Sequence, residues 1–600
     1  MFRRNVVFGN VPGIVNAVRI GKDDLYDPEK GYGFEMEKNR RAQPGLQIAE
    51  INSAFNIMEW YQDEDLTWIE EDEAGCFMDS DEEIRKLEQE LGYPYEGEHR
   101  RIPLIFKLDV PRGGNYRVTV TIKAVEEMKN VLFYTGRRRL AIKGDIPAGS
   151  TYVHTCAVNV SDIIPRGKDQ IYTDHSINLA IVADKPRFSM IQVKEISCPT
   201  LYIAGDSTLT DQSADYPYAP GTSYSGWGQM LGAFLKDKVA LSNHAHSGLT
   251  TESFRSEGHL SVVESYIKPR DFFFFQFGHN DQKLKRLQAE GGYKANLTRY
   301  VAECMEKGAY PVIVTPMARN TWTGNGDYND MLEEFAESCK EVGHITNVPV
   351  LDLHGLSRRL VTELGLEEVK KYFYPEDYTH TNDYGAYRMA CYVASEIRRV
   401  CSVHPNPGYR FLAACVTEGY GSWEPEEKIV LPRQPKDYQM CTKNVDNLDM
   451  GFPEGQDLGE PLNRAQALDM VEKTLRFFPV EVYHDMYDDV VGHEWYAGVV
   501  ECGYKNGIIP KEVIPGIYFE AEKKVSLEDF ILFAMKGYRC RKQFPPESPC
   551  AYDKNAHKYA LPYLRAACSL GILKQDEGNL DRVLSIREAE SICKSLRSAV

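Results

Sequence analysis

The sequence lacks the features that mark membrane and secreted proteins. It has no run of about 18 apolar residues, so we expect no transmembrane helix. The start, Met1-Phe2-Arg3-Arg4-Asn5, is not followed by the apolar stretch of roughly 7–15 residues that a secretory signal requires. As written, the chain is expected to be cytoplasmic, and an extracellular or cell-wall location would require that a signal had been removed.

Metal and redox signatures are also missing. The 14 cysteines are scattered, no CxxC pair occurs, and HExxH is absent. His244 and His246 form a loop pair without a nearby carboxylate, which is more typical of a structural role than of a metal site. We therefore expect no metal, no cofactor, and reduced, mostly buried thiols.

Basic residues are too few for a general nucleic-acid binder. Lys and Arg number 70 against 88 Asp and Glu, giving a net charge of −18, whereas binding to phosphates needs basic surface. The cluster Arg137-Arg138-Arg139 lies in a predicted strand-turn region, where we interpret it as a solvated edge rather than a phosphate site. We expect no nucleic-acid partner.

A chain of 600 residues is too long for one hydrophobic core, and its patterns divide it into four regions. The first, residues 1–195, contains short apolar runs separated by turn signals, and one of these runs alternates apolar and polar residues. The runs are Ile105–Val110, Tyr116–Ile122, Val131–Tyr134, Thr151–Val160 and Ile177–Val182. Several short strands of this kind predict a β-sandwich over residues 1–195.

The second region, residues 196–400, alternates short apolar strands with helical stretches such as Tyr328–Val342 and Tyr384–Val400. One strand, Phe272–Phe277, is apolar without alternation, as a strand covered on both faces should be. The pattern predicts an α/β domain with a parallel sheet between two layers of helices. Ligands in such folds bind beyond the carboxyl ends of the strands.

The remaining two regions are a predicted connector, residues 401–459, and a small, mainly α repeat domain, residues 460–600. The connector is rich in Pro, Gly and charge. In the repeat domain, Asn463, Ser526 and Ser585 each precede an apolar-periodic helix, which is N-cap chemistry. The recurrence of these helix starts at spacings of about sixty residues indicates a repeat.

Three short segments in the α/β region supply the parts of an acyl-transfer site: 205–208, 278–281 and 377–380. In the first, Ser207 follows a predicted strand that ends near Ala204, and a turn there lifts its hydroxyl off the sheet edge. A serine becomes a nucleophile only when a base removes its proton. The lipase elbow GxSxG is absent around Ser207. Taken alone, Gly-Asp-Ser is more simply a turn.

His380 is the candidate base. Asp377 lies three residues earlier, an offset that can bring a carboxylate to one ring nitrogen while the other faces the serine. A histidine that caps the helix beginning near Asp383 is an equally good interpretation of this segment.

Acyl transfer also needs donors aimed at the developing oxyanion. The candidates are the backbone N–H groups of Ser207 and Gly248 and the side-chain amide of Asn280. Asn280 taken alone could be a turn residue, and Gly248 a residue that needs positive φ. The joint occurrence of all these parts, in this order on one predicted α/β domain, favours a catalytic site.

At this point residues 200–400 resemble the SGNH (GDSL) hydrolases, and among them the rhamnogalacturonan acetylesterases of carbohydrate esterase family 12. The matching stretches are Leu201–Thr208, Gly226-Trp227-Gly228, Asn243–Arg255, Phe277–Asp281, Asp377–His380 and Gly385-Ala386. The family often has Gly-Arg-Ser in its second block, whereas here Gly248 is followed by Leu249-Thr250.

The resemblance implies a three-layer, flavodoxin-like fold and a role for each matching residue. Ser207, Asp377 and His380 would form the catalytic triad. Ser207, Gly248 and Asn280 would form the oxyanion hole. His279 and Trp227 are the expected substrate-binding residues.

The flanking regions carry weaker resemblances. Residues 1–195 look like the galactose-binding-like β-sandwich that often precedes this type of esterase. Residues 460–600 are similar to S-layer homology repeats, on the strength of Asn463–Gln466 and Trp495-Tyr496-Ala497. Such repeats imply contact with a cell-wall polymer, although the absence of a signal favours a structural or oligomerising role.

The leading hypothesis is a serine esterase that removes acetyl groups from a carbohydrate, most simply pectic rhamnogalacturonan oligosaccharides. Two alternatives stay open. One is an SGNH esterase, lipase or thioesterase that acts on another acyl substrate. The other is a non-catalytic carbohydrate-binding or cell-wall attachment protein, which the complete set of catalytic parts disfavours.

Overall fold

The computed structural model describes residues 2–35, 55–56, 69–79, 84, 100–164, 170–173, 175–212, 214–215, 218–322, 327–375, 377–425, 457–475, 477, 487, 489–490, 494–516, 518–546, 548–574 and 578–600. The chain groups into two compact units, Met1–Pro432 and Arg433–Val600. Within the described residues, no helix has both the length and the apolar character needed to cross a membrane.

Strands dominate the chain up to residue 196. They are β1 (Arg3–Phe8), β2 (Ala17–Ile20), β3 (Tyr32–Phe34), β4 (Phe55–Asn56), β5 (Glu70–Asp72), β6 (Gly75–Phe77), β7 (Leu104–Asp109), β8 (Gly114–Lys123), β9 (Met128–Thr135), β10 (Arg139–Ile146), β11 (Thr151–Val160), β12 (Ser176–Val182), β13 (Arg187–Phe188) and β14 (Met190–Ile196). All five strands predicted from apolar runs are confirmed. In β8 every second residue from Tyr116 is buried, as the alternation predicted.

From residue 200 the chain alternates strands and helices. The elements are β15 (Thr200–Gly205), β16 (Ala214–Asp215), α1 (Trp227–Met230), β17 (Ala240–Asn243), α2 (Ser253–Ser256), α3 (His259–Tyr266), β18 (Phe272–Gln276), α4 (Lys294–Glu306), β19 (Tyr310–Val314), α5 (Glu333–Thr346), β20 (Val350–Leu351), α6 (Leu353–Glu368), α7 (Asp383–Glu396) and α8 (Pro407–Cys415). Strands β17, β15, β18, β19 and β20 pair in that order, all parallel. The predicted parallel α/β sheet is confirmed.

Apolar residues cover both faces of this parallel sheet. Phe272 and Phe274 belong to one hydrophobic cluster, whereas Phe273 and Phe275 belong to another on the opposite face. Burial on both sides explains why the β18 sequence is apolar at every position instead of alternating.

The N-terminal strands continue this sheet instead of forming a separate body. Val158 of β11 pairs in parallel with Leu241 of β17, which gives a sheet of ten described strands in the order β2-β1-β14-β8-β11-β17-β15-β18-β19-β20. A second, antiparallel sheet has the order β10-β9-β12-β7-β3. One buried cluster includes Phe106 of the N-terminal part and Phe272 of the parallel part, so the two parts share a core. The galactose-binding-like classification and the boundary at residue 195 stay predictions.

Part of the predicted connector belongs to the first unit. Helix α8 begins with Asn406 as its N-cap, followed by a proline at the first position, and it buries Leu412 and Cys415. An apolar helix face therefore packs within residues 401–459, and the connector assignment itself stays a prediction. Residues 426–456 of the predicted connector lie outside the described residues.

The second unit is helical. It contains α9 (Arg464–Leu475), α10 (Ala497–Lys505), α11 (Leu527–Arg541), α12 (Leu561–Ser569) and α13 (Ile586–Ala599). The predicted N-caps are confirmed: the side chains of Asn463, Ser526 and Ser585 each accept a backbone N–H three residues later. The S-layer homology resemblance stays a prediction.

The residues before these three capped helices close a ring of backbone hydrogen bonds. Leu462 N donates to Leu584 O (2.8 Å), Leu584 N to Val525 O (3.0 Å), and Val525 N to Leu462 O (3.0 Å). Each segment therefore contacts both of the others in the same way.

Candidate active site

Residues at the carboxyl ends of neighbouring parallel strands meet at one edge of the sheet. Ser207 follows β15, and Asn280 follows β18, the strand that pairs with it. The last residue of β15, Gly205, must be glycine, because a Cβ there would lie only 2.5 Å from Gln276 O. The predicted position of both side chains on this edge is confirmed.

Ser207, His380 and Asp377 form a connected line of side chains. Ser207 Oγ lies 2.8 Å from His380 Nε2, and His380 Nδ1 lies 3.0 Å from Asp377 Oδ2. All three are nearly buried, with 5%, 2% and 5% of their surface exposed. An ionised Asp377 holds the proton on Nδ1, which leaves Nε2 to accept from the serine hydroxyl. The structure therefore brings together the three residues that the sequence predicted as a triad.

Backbone groups fix the carboxylate of Asp377 within its own loop. Its Oδ1 accepts the N–H groups of Thr379 (2.7 Å) and His380 (2.9 Å), so only Oδ2 is directed at the imidazole. The alternative role for His380 as a helix cap is wrong, since the side chain of Asn382 caps α7 by accepting from Gly385 N.

Residues 224 and 225 stabilise the His380 loop through ring packing and hydrogen bonds. The Tyr224 ring meets the His380 ring edge-on, with centroids 5.8 Å apart, and stacks on Tyr374 at 3.7 Å. Thr381 Oγ1 donates to Ser225 O (2.7 Å), and Ser225 N donates to Thr381 O (2.9 Å). The imidazole is therefore fixed by neighbours as well as by Asp377.

Three hydrogen-bond donors remain for a ligand. The backbone amides of Ser207 and Gly248 have no acceptor among the described residues. Gly248 has φ of +84°, a conformation that favours glycine. Asn280 donates one N–H to Leu249 O (3.1 Å), which joins the two loops, and its second N–H has no acceptor in the part of the chain that the structure describes. These are the donors that an oxyanion hole needs.

Comparison with known proteins agrees with this geometry. Residues 203–407 match the model of the GDSL-like lipase/acylhydrolase family. The chain is 34% identical over 214 residues to rhamnogalacturonan acetylesterase RhgT of Bacillus subtilis, an alignment that covers 33% of this chain and 90% of RhgT. The chain belongs to the GDSL-like lipase/acylhydrolase family. It is accordingly a carboxylic ester hydrolase.

Two further comparisons reach beyond the family region. The uncharacterized esterase YxiM of Bacillus subtilis is 25% identical over 403 residues, covering 65% of this chain and 88% of YxiM. The solved structure of YxiM aligns with 66% of this chain and 98% of its own, at 22% identity and a TM-score of 0.34.

His279 is part of the scaffold of this GDSL hydrolase. Its assignment as a substrate-binding residue stays a prediction; its side chain is 1% exposed and both ring nitrogens have protein partners. Nδ1 lies 3.2 Å from Asp206 Oδ2, and Nε2 lies 3.0 Å from Met317 O. Burial lowers the pKa of His279 against the attraction of Asp206.

Asp206 anchors the turn that presents Ser207. Its Oδ1 accepts both the N–H (3.0 Å) and the hydroxyl (2.7 Å) of Thr208. Burial alone raises the pKa of Asp206, but His279 and Thr208 more than offset it, so the pKa lies below its ordinary value. The nucleophile turn is thus built on an ionised, fully buried carboxylate.

Trp227 has a structural role in the protein, and its assignment as a substrate-binding residue stays a prediction. Its side chain is fully buried, and Nε1–H donates to Gln276 Oε1 (2.9 Å). Gln276 in turn donates to Thr208 Oγ1 (2.7 Å). Through this chain of bonds, the indole supports the end of β18 and the turn after β15.

Sequence reasoning missed Arg319, which joins two catalytic loops. The residue is 8% exposed and follows β19. Its Nη1 donates to Thr379 Oγ1 (2.5 Å), and its Nη2 donates to His279 O (3.0 Å). The only signal in the sequence was its place beyond the carboxyl end of a parallel strand.

Sequence reasoning also missed Asp281, which is buried beside the site. Its Oδ1 accepts the N–H (3.0 Å) and hydroxyl (2.5 Å) of Thr251, whereas its Oδ2 has no hydrogen-bond partner among the described residues. Burial raises the pKa of Asp281 to about 7. A protonated carboxyl therefore persists here far above the pH at which an exposed aspartate ionises.

Tyr378 is the one residue between Asp377 and His380 that faces solvent. Its side chain is 51% exposed, while the flanking residues Asp377 and Thr379 are buried. Its backbone is pinned, because Asn320 N donates to Tyr378 O (2.7 Å). An exposed aromatic residue with a hydrogen-bonded backbone thus lies next to the triad residue Asp377 in the chain. Among the described residues, no group of three or more His, Cys, Asp and Glu side chains is placed to hold a metal ion.

Proposed function

We propose that this protein is a serine esterase that removes O-acetyl groups from a carbohydrate, namely pectic rhamnogalacturonan oligosaccharides, through an acetyl-enzyme intermediate. The observation that carries the proposal is the unbroken line from Ser207 Oγ to His380 Nε2 (2.8 Å) and from His380 Nδ1 to Asp377 Oδ2 (3.0 Å). This arrangement suits a nucleophile, a base and a group that orients the base.

The acylation half-reaction follows from these contacts. Ser207 Oγ attacks the acetyl carbonyl carbon while His380 Nε2 takes the hydroxyl proton, and Asp377 stabilises the imidazolium that forms. The carbonyl oxygen becomes an oxyanion, which accepts from the amides of Ser207 and Gly248 and from the side chain of Asn280. Collapse of the tetrahedral intermediate breaks the ester bond, and His380 returns its proton to the sugar oxygen that leaves.

The deacylation half-reaction uses the same groups. His380, now neutral, takes a proton from water, whose oxygen attacks the acetyl carbon on Ser207. The second tetrahedral intermediate is held by the same donors, and its collapse releases acetate and returns the proton to Ser207.

Two observations support an acetylated sugar as substrate. RhgT, which matches this chain over 90% of its own length, is named a rhamnogalacturonan acetylesterase. Tyr378 offers an exposed aromatic ring next to the triad, and such a ring can pack on the apolar face of a sugar. The finer assignment to pectic oligosaccharides rests on the first observation alone.

The test measures acetate released from acetylated rhamnogalacturonan oligosaccharides and from acetylated xylan by the wild type and by Ser207→Ala. We expect release from the pectic substrate by the wild type and none by the variant. Ser265→Ala is the control, because that hydroxyl donates only to Val262 O on α3 (2.7 Å) and should leave the rate unchanged. Equal release by wild type and Ser207→Ala would refute the serine mechanism.

Substrate comparisons separate the other activities. Faster turnover of acetylated xylan would move the assignment to another polysaccharide. A preference for p-nitrophenyl octanoate over the acetate would favour a longer acyl chain. Glycan binding without turnover of any of these esters would favour a carbohydrate-binding protein.

We also propose that the second unit contacts a cell-wall polymer or joins copies of the chain. The support is the set of three capped helix starts at Asn463, Ser526 and Ser585 and their similarity to S-layer homology repeats. Co-sedimentation with purified cell walls tests the first role, and analytical ultracentrifugation tests the second. A protein that stays monomeric and does not sediment with walls would contradict both.

A further inference from the structure

The turn between β9 and β10 carries Arg137, Arg138 and Arg139 into the catalytic part of the first unit. The sequence suggested a solvated edge for these arginines, and that interpretation is wrong for Arg138, whose exposure is 0%. The turn is tight, since Gly136 and Arg138 have φ of +54° and +53°. The hairpin belongs to the antiparallel N-terminal sheet, so its contacts with the parallel part cross the predicted boundary at residue 195.

Arg138 has a partner on each side of its guanidinium. Nη1 forms an ion pair with Asp383 Oδ1 at 3.2 Å, and both side chains are fully buried. Nη2 donates to the backbone oxygen of Tyr224 and lies 3.5 Å from Gln229 Oε1. The guanidinium also lies over the Tyr218 ring, 5.6 Å from its centroid. The ion pair with Asp383 and the hydrogen bond to Tyr224 offset part of the desolvation cost of burying Arg138, whose Nε has no hydrogen-bond partner among the described residues.

The partners of Arg138 are the neighbours of His380. Asp383 is the first residue of α7, three residues after His380, and its Oδ2 also accepts Gly221 N (2.8 Å). Tyr224 places its ring against the imidazole at 5.8 Å. Arg138 therefore ties the segment that packs on the imidazole to the helix start that follows it.

The neighbouring Arg139 makes an equivalent contact with the nucleophile side. Its Nε donates to Asp211 Oδ2 (2.6 Å), and Asp211 Oδ1 accepts from Asn243 (2.8 Å). Asp211 lies four residues after Ser207. The hairpin thus contacts both sides of the triad: Arg138 binds the neighbours of His380, and Arg139 binds the segment that follows Ser207.

We propose that Arg138 is a positioning residue for His380, so that the N-terminal β region completes the esterase site instead of serving as a detachable accessory module. The inference rests on the proposed function, because it takes His380 as the base. Arg138 touches neither substrate nor the reacting atoms and acts through Asp383 and Tyr224. Misplacement of a catalytic group by about 1 Å can cost about 10²-fold in rate.

The experiment compares Arg138→Lys, Arg138→Met and the double variant Arg138→Met with Asp383→Asn, all in the full chain. Lysine keeps a charge beside Asp383 but cannot also donate to the Tyr224 carbonyl. The double variant leaves no unpaired carboxylate buried, which protects its folding. Each protein is assayed for kcat and KM on p-nitrophenyl acetate, for Tm, and by NMR for the downfield proton of the His380–Asp377 hydrogen bond.

We expect kcat to fall about 10²-fold in both methionine variants and by less in the lysine variant, with KM close to wild type. We also expect the downfield proton to shift or broaden. The lysine variant decides the test if the methionine variants do not fold. Arg187→Met is the matched control: Arg187 is also a buried N-terminal arginine, but it pairs with Asp72, so this change should lower Tm and leave kcat unchanged.

Two results would overturn the proposal. One is a folded Arg138 variant with wild-type kcat and an unshifted proton. The other is an equal loss of kcat in Arg187→Met, since general loosening of the N-terminal sheets would then explain both. If the wild type shows no hydrolysis that depends on Ser207, the proposed function fails separately, and the NMR signal alone still decides whether Arg138 positions His380.

Discussion

Replacing Asp377 with asparagine exchanges one carboxylate oxygen for an NH₂ group. We expect this change to reverse the direction of the hydrogen bonds along the triad. Asp377 Oδ1 already accepts two backbone N–H groups, from Thr379 (2.7 Å) and His380 (2.9 Å). The amide oxygen of asparagine must take that position, which directs its NH₂ at His380 Nδ1. Nδ1 must then accept, so the ring proton moves to Nε2.

A proton on Nε2 prevents His380 from acting as the base, since that nitrogen lies 2.8 Å from Ser207 Oγ and would donate to it instead of accepting. Loss of the correct tautomer in a triad costs about 10⁴-fold in kcat, which corresponds to about 5 kcal/mol. Binding should change little, because no substrate contact is removed. We therefore expect kcat on p-nitrophenyl acetate to fall by this factor at nearly constant KM.

A second aspartate–histidine pair supplies the control. Asp330 Oδ2 lies 3.1 Å from His354 Nε2, and both side chains are largely buried, but neither contacts Ser207. Asp330→Asn should leave kcat unchanged. A folded Asp377→Asn protein that keeps kcat within about tenfold of the wild type would refute the role of the carboxylate in setting the tautomer.

Three further predictions address the surroundings of the triad. Asn280→Ala should lower kcat by about 10²–10³-fold through the lost oxyanion donor, measured on p-nitrophenyl acetate, and an unchanged kcat would remove this residue from the oxyanion hole. Asp281→Asn should alter how the free energy of unfolding depends on pH. Burial raises the pKa of Asp281 from 3.8 to about 7. The stability that its protonated form contributes to the wild type is therefore fully present below pH 3.8 and is lost as the pH rises through about 7. Measured by urea unfolding, the free energy of unfolding of Asp281→Asn should rise relative to that of the wild type by up to about 4 kcal/mol between these pH values. A difference between the two proteins that does not change with pH would contradict a protonated carboxyl. Tyr378→Ala should raise KM for acetylated oligosaccharides about tenfold, because burying roughly 50 Å² of ring at about 25 cal/mol per Å² contributes about 1.3 kcal/mol to binding. KM for p-nitrophenyl acetate should stay constant. Equal effects on both substrates would argue against a sugar contact.

The sequence was most informative where local chemistry decides the structure. Strand periodicity placed β8, and the turn after an apolar strand placed Ser207 at the sheet edge. The offset between Asp377 and His380 gave their contact, because both lie in one short loop. The N-caps of the second unit were likewise readable from residue type and spacing.

The sequence was least informative where distant partners decide burial. Arg138 looked like surface, since nothing near it in the chain reveals that Asp383 will be its counter-ion. His279 and Trp227 belong to matching motifs, but a motif does not say whether a polar atom faces a ligand or a protein acceptor. Helix α8 was missed because its proline and asparagine, which start the helix, resemble loop composition.

The closed circle of amide contacts among Leu462, Val525 and Leu584 has a consequence for synthesis and for evolution. Leu462 N reaches its acceptor, Leu584 O, only after residue 584 has emerged from the ribosome, so this circle closes only when nearly the whole unit has been synthesised. A circle also has no open end to which a fourth copy could be added, and duplication would have to break it.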